Sequence, residues 1–549
     1  VLNRRSALTV GTFAGPAAFG TGLGTARAAS RDTSPGRMRG AAPGAAGSRP
    51  PVIPAVRTSE PGAARWRPSP ATRIVLPPPD SRRLGDEARV LAAELCGDGH
   101  LDRPPRIVER HSASPHDVLL RTGKLDESDS SEAYRVDAGA ALTVTGGSAA
   151  GVFYGTRTLL QTLRQRGEFA GRVVDWPEYG QRGLMVDVGR KYFTPGWLER
   201  MIRELAWLKC NVLHLHLSDS SGFRIESESH PEIVTRPALS KAEVRRLIAV
   251  AEDCHVTLVP EIDSPGHLEA VLEARPELRL IRKDGTVEPS KLDYSKPAAR
   301  RLIKDLVAEY AELFPGGWFH LGGDEYFGYP WEEDRLTGEN APQLLEYARS
   351  VAGPRATLLD GFTSYLNDLV SVVAARGKRA KVWNDHIVPA APGSGRVELD
   401  RRVEIEVWVR WNTDEPSVTD FLEADYDVLN GHGDHLYFIL APDQQHEKGK
   451  KSAQGLYDLW TPRTFMREPG EDLRLAAGQP VSGAHLSIWC DNPDFQSERE
   501  VAEAVHPWLR SFAQQMWGSP KPAATYEEFV PLIEAVGEAP ALGSRSYGG

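Results

Sequence analysis

Short apolar runs recur from residue 182 onward, at 182–189 (RGLMVDVG), 211–217 (NVLHLHL), 256–262 (VTLVPEI), 317–322 (GWFHLG), 381–385 (KVWND), 403–409 (VEIEVWV), 427–430 (DVLN) and 484–489 (AHLSIW). Each predicts a strand, and most are too uniformly apolar to leave one face in water. Between most of them lie stretches such as PGWLERMIRELAWLK and KPAARRLIKDLVAEYAELF, whose apolar residues recur at helical spacing. Eight strands alternating with helices over roughly 340 residues predict an α/β fold, a (β/α)8 TIM barrel spanning 179–520. A doubly wound open sheet is the competing architecture, but no glycine-rich phosphate loop follows the first run.

Upstream the pattern changes. RIVLPPP, RIVER, DVLLRTG, EAYRV and ALTVTG predict short strands, and SRRLGDEARVLAAEL and SAAGVFYGTRTLLQTLRQR predict helices, giving a small α/β domain over 66–178. Residues 30–65 are rich in Gly, Pro, Ala and Ser and predict a disordered linker, since such a stretch buries too little to offset its ordering entropy. Residues 1–29 carry Arg4 and Arg5, a weakly apolar acid-free run and the small-residue site Ala26-Arg27-Ala28, which predicts a twin-arginine-like export signal and a secreted protein. A C-terminal extension covers 521–549.

Composition narrows the function. The 549 residues are 41% hydrophobic and 26% charged, as in globular proteins, and a net charge of -10 argues against nucleic acid as a partner. No stretch approaches the ~18 consecutive apolar residues of a membrane span, so no membrane partner is expected. The four cysteines, Cys96, Cys210, Cys254 and Cys490, show no metal-type spacing; Cys210 and Cys254 precede predicted strands and could approach one another or remain buried thiols.

A barrel builds its active site from the C-terminal ends of its strands. Those ends carry, in order, Asp187 and Arg190; His216 and Asp219; Glu261, Asp263 and His267; His320, Asp324 and Glu325; Trp383 and Asp385; Trp408 and Trp411; Tyr437; Trp489 and Asp491. Many carboxylates among tryptophans suit a carbohydrate, because carboxylates bind hydroxyls and transfer protons while flat rings cover the C–H faces of sugars. His214 alternates with leucines and reads as a barrel-interior histidine, and Trp197 and Trp207 read as helix packing. His216, Asp219, Asp263, His267 and His320 could converge on a metal, but hydrogen-bonded pairs account for them without any HExxH-type spacing, so neither metal nor cofactor is expected.

RGLMVDVGRKYF, LHLHLSDSSGFRIE, VPEIDSPGH and HLGGDE, in this order, resemble the glycoside hydrolase family 20 barrel of β-N-acetylhexosaminidases, and the resemblance covers about residues 70–520. It implies that Glu325 is the general acid/base and that Asp324 holds the substrate's acetamido group. It further implies that Arg190 binds hydroxyls of the terminal sugar and that Asp219 and an Asp263/His267 pair support the site. Tyr437 would contact the acetamido oxygen, and Trp383, Trp408 or Trp411, and Trp489 would wall the pocket; His320 and Asp491 complete the expected binding set.

Neighbouring side chains in a regular strand point to opposite faces, so Asp324 and Glu325 share a pocket only if the backbone is irregular, which Gly322 and Gly323 permit. Adjacent carboxylates are badly placed to flank a glycosidic bond as acid and nucleophile about 5 to 5.5 Å apart. Substrate assistance by the 2-acetamido oxygen, an exception attributed to this family, supplies the missing nucleophile. The expected activity is retaining release of terminal β-linked N-acetylhexosamine from oligosaccharides or glycoconjugates. One departure limits it: HLYFIL places Ile439 where many hexosaminidases carry an acid, and LYFIL and SIWCDNPD look more like the branch that includes lacto-N-biosidases, which release a disaccharide. A catalytically inactive carbohydrate-binding barrel is the alternative from another class.

Overall fold

The structure, a computed structural model, describes residues 49–540 apart from 330 and 391–393. The expected export signal, the linker up to residue 48 and the last nine residues of the extension lie outside the described residues.

The eight apolar runs form a closed barrel: β1 (Gln181–Asp187), β2 (Val212–His216), β3 (Thr257–Glu261), β4 (Trp318–His320), β5 (Arg379–Trp383), β6 (Glu404–Val407), β7 (Asp427–Asn430) and β8 (Gly483–Trp489). Successive strands pair in parallel, and β8 closes on β1. Register places Asp187 opposite His216, His216 opposite Glu261, and Glu261 opposite His320, so four polar residues sit level at the upper rim. At the lower end, Lys381 reaches Gln181 (2.7 Å) and Glu404, closing the interior with a charge pair.

β7 stays beside β8 for only two residue pairs. The chain then returns as a short strand, Tyr437–Ile439, parallel to the top of β8 with Ile439 opposite Trp489. This exchange brings Tyr437 to the barrel mouth.

The helices follow their sequence signals. In Pro195–Trp207, Thr194 caps the first turn and Pro195 occupies it, while Trp197, Leu198, Met201, Ile202 and Leu205 form the buried stripe. Trp197 stacks on Phe193 at 4.1 Å and Trp207 is fully buried, so both tryptophans are packing residues.

The upstream domain is a seven-stranded mixed sheet carrying the helices Gly85–Gly97 and Ala149–Arg166. It begins earlier than expected. Val52, Ile53 and Val56 are fully buried, Ile53 and Ala55 donate backbone N–H bonds to Gln161 and Gln514, and Thr58–Trp66 pairs with Phe169–Asp175. The proline-rich run from 49 to 65 is therefore not linker: its backbone is tied to the helices Ala149–Arg166 and Glu498–Trp517 through Gln161 and Gln514. All four cysteines are free thiols, and burial pushes those of Cys210 and Cys254 up to about 12. Among the described residues no helix is long and apolar enough to cross a membrane.

Candidate active site

β4 ends at His320, and the next residues leave strand geometry at once. Gly322 and Gly323 have φ of 71° and 103°, and Glu325 itself is left-handed at 52°. A Cβ on Gly322 would lie 1.8 Å from Asp263 Oδ1, so the turn has room only for glycine. Asp263 braces it by accepting the Gly323 N–H at 3.0 Å. The result turns Asp324 and Glu325 the same way: His267 Nε2 is 3.5 Å from Asp324 Oδ2 and 3.4 Å from Glu325 Oε2.

A chain of buried charges ties these groups to the first three strands. Glu261 Oε2 meets His216 Nδ1 at 2.6 Å, and His216 Nε2 meets Asp219 Oδ2 at 2.9 Å. Asp219 then takes Arg190 Nη2 at 2.7 Å and faces His267 Nδ1 at 3.5 Å. Burial opposes charge on His216 and His267, but the surrounding carboxylates hold both well above the usual imidazole range, Glu261 foremost for His216 and Asp324 foremost for His267. Against the same burial, Arg190 and then His267 hold Asp219 well below the carboxylate range. Arg190 also pairs with Asp187 at 2.8 Å, stands 3.8 Å from Asp491 and lies over Trp489 at 5.4 Å.

Against this network stands an aromatic wall: Trp489 meets His216 at 5.1 Å and Trp383 donates its indole N–H to Glu261 at 2.8 Å. Trp408 lies parallel to Tyr437 with centroids 5.8 Å apart, Tyr437 meets Trp489 at 5.6 Å, and Trp489 meets Trp383 at 6.0 Å. Ile439 and Met185 fill the gaps between these rings, so position 439 belongs to an apolar cluster. Beside Glu325 a cavity of about 200 Å³ is lined by Tyr329, Asn384, Asp385, His386, Trp411 and Glu415, among others.

The described domains match two models of one family: the glycosyl hydrolase family 20 catalytic domain over residues 179–520 and its domain 2 over 49–176. The chain belongs to glycoside hydrolase family 20. It is 29% identical over 496 residues to a lacto-N-biosidase of Bifidobacterium bifidum, covering 89% of this chain but 42% of that protein. It is 28% identical over 461 residues to a β-N-acetylhexosaminidase of Cellulomonas fimi, covering 79% and 83%. A Streptomyces plicatus β-hexosaminidase solved with its product GlcNAc superposes with a TM-score of 0.69 at 25% identity, covering 90% of this chain and 95% of that one.

Within this family 20 site, one expected pairing and one expected binding residue are revised. His267 faces Asp219, Asp324 and Glu325 in ion-pair range, whereas Asp263 is spent on the glycine turn; burial and then Asp324 push its carboxyl well above the usual range. His320 does not reach the pocket. Fully buried, it packs between His214 and Trp383, each 4.8 Å away, and sits 3.1 Å from Glu261, below the binding set in which it was expected. His214 is also interior, and burial lowers it to about 4.

Two residues absent from the expected binding set stand beside Glu325. Asp385, at the end of β5, accepts the Trp408 indole N–H and the Glu325 backbone N–H (3.4 Å), and burial, then Asp324, push its carboxyl well above the usual range. Its place at a barrel strand end already marks it among the candidates, though no role follows from it. Tyr329 donates its hydroxyl hydrogen to Glu325 Oε1, and only its spacing of four residues from the acid hints at this.

Proposed function

We propose that this glycoside hydrolase releases terminal, non-reducing β-linked N-acetylhexosamine, GlcNAc foremost and GalNAc as a tolerated epimer, from oligosaccharides or glycoconjugates, with retention and through substrate assistance. The observation that carries the reading is the convergence of Asp324 and Glu325 on one nitrogen of His267, 3.5 and 3.4 Å away. Carboxylates sharing one side of a pocket suit the division of labour that substrate assistance requires.

Glu325 protonates the glycosidic oxygen as the C1–O bond breaks, and the acetamido carbonyl oxygen bonds to C1 from the opposite face. Asp324 accepts the acetamido N–H and stabilises the positive charge that develops on the cyclic oxazolinium-like intermediate. Water then attacks C1, Glu325 takes its proton, and the acetamido group is restored. Tyr437 is placed to hold the acetamido oxygen, with Trp383, Trp408 and Trp489 walling the ring. Arg190 and Asp491 face the outer hydroxyls.

A thiazoline mimic of the cyclic intermediate should bind far more tightly than GlcNAc, as expected for a species resembling the transition state. A covalent glycosyl adduct on any side chain of the stalled enzyme would contradict the reading.

Similarity to the lacto-N-biosidase favours a second reading, release of a disaccharide. The aromatic wall and the Arg190–Asp491 approach of 3.8 Å support a closed single-sugar pocket instead. Aryl N-acetylglucosaminide should be cleaved well; cleavage of aryl lacto-N-bioside alone, with free disaccharide as product, would establish the second reading. The features of residues 1–29 support export, which signal cleavage and fractionation in the producing cell would test.

A further inference from the structure

A general acid must hold its proton within hydrogen-bond reach of the oxygen it serves, and an error of about 1 Å can cost 10²-fold in rate. Glu325 starts badly for this task. It follows two glycines, its own backbone is left-handed, and its Oε2 faces His267 at 3.4 Å, long for a directing hydrogen bond.

Tyr329 restrains it. Its hydroxyl donates to Glu325 Oε1, and its ring is itself clamped, parallel to Trp331 (centroids 5.0 Å, planes 5° apart) and edge-on to Trp411 at 4.8 Å. Trp411 meets Trp408 edge-on at 5.5 Å; Trp408 donates its indole N–H to Asp385; Asp385 accepts the N–H of Glu325 itself. The contacts thus run from the Glu325 carboxyl through four side chains back to the Glu325 backbone. Trp331, still 60% exposed, contributes little to the core, so its stacked ring serves chiefly to hold Tyr329.

We propose that Tyr329 is the positioning residue of the acid/base: clamped by Trp331 and Trp411, its hydroxyl fixes Glu325 Oε1 so that the proton is exchanged at Oε2. The inference rests on the reading of Glu325 as acid/base. A hydroxyl donating to the ionised carboxylate also favours that form, so losing it makes Glu325 a weaker acid.

Tyr329→Phe removes the donor and keeps the ring. On an unactivated N-acetylglucosaminyl disaccharide, kcat should fall about tenfold, the scale of one hydrogen bond to a charged group, with KM and thermal midpoint unchanged. The basic limb of kcat/KM, which follows the protonated acid, should move up by about one pH unit. A residue that only packs would leave that limb in place. Trp331→Ala, altering a largely exposed side chain, should move the limb the same way by less, and reads the same effect should Tyr329→Phe be unstable. An inactive Glu325→Gln beside a Tyr329→Phe with unmoved limb and kcat overturns the inference alone. A fully active Glu325→Gln overturns the acid/base reading and the inference with it.

Discussion

Asp219 Oδ2 lies 2.7 Å from Nη2 of Arg190, and both side chains are almost wholly buried. This contact joins the group proposed to face the sugar's outer hydroxyls to the network around His267, because the other oxygen of Asp219 faces that imidazole. Removing one partner of a buried ion pair leaves a charge without compensation. Asp219→Asn should therefore lower stability by about 3 kcal/mol, the low end of the range for broken buried pairs, since Asp187 still holds Arg190. Equilibrium unfolding in urea reads this directly. A variant as stable as the parent would show that the contact carries little energy.

The acid/base is tested by an isosteric change. Glu325→Gln should reduce turnover of unactivated disaccharides by about 10² to 10⁴, the usual range for general acid catalysis. Aryl glycosides with good leaving groups should lose less in the glycosylation step, because they need less protonation. Near-normal rates on a disaccharide would assign the role elsewhere.

The barrel was legible in the sequence because its strands are buried on both faces and read as continuous apolar runs. The site residues were legible because a barrel collects them at its strand ends. What a strand end does not reveal is which way a side chain turns inside the barrel. His320 lies at the rim in register yet points into the interior against His214 and Trp383, and His267 turns to Asp219 instead of Asp263. Composition misled at 49–65, where four buried apolar side chains, two backbone hydrogen bonds to glutamines and one strand pairing anchor the run. Tyr329 escaped notice because its loop has no periodicity and its partner is chosen by the turn at Gly322 and Gly323.

That turn gives a sharp steric contrast within one loop. Gly322→Ala puts a methyl 1.8 Å from Asp263 Oδ1 in a backbone conformation that L residues rarely adopt, so Asp263 and the turn must move together. Activity should fall at least about 10²-fold, because both carboxylates shift with the backbone. Gly317→Ala, just before β4, meets nothing within 4 Å and should change stability by less than about 0.5 kcal/mol. Equal behaviour of the two variants in activity assays would sink the argument for the turn.

Opposing histidines set the pH range of the fold. Burial lowers His214, His386 and His435 to about 4, so each is neutral in the fold while the unfolded chain takes up a proton near pH 6.5. Their contribution is complete above pH 6.5 and is lost as pH falls from there towards 4. His216 and His267 work the other way: held above the usual range by their carboxylates, they stabilise fully below pH 6.5, and that stability is lost as pH rises through their folded values. The thermal midpoint should thus peak in between and fall on both sides. His435 stands apart from the acid pair, its Nε2 3.4 Å from Asp472, which a glutamine amide can also reach. His435→Gln should flatten the acid side of the profile between pH 6.5 and 4 and leave the alkaline side unchanged. A midpoint that rises steadily from pH 6.5 down to 4 would contradict the neutral state assigned to the three rings.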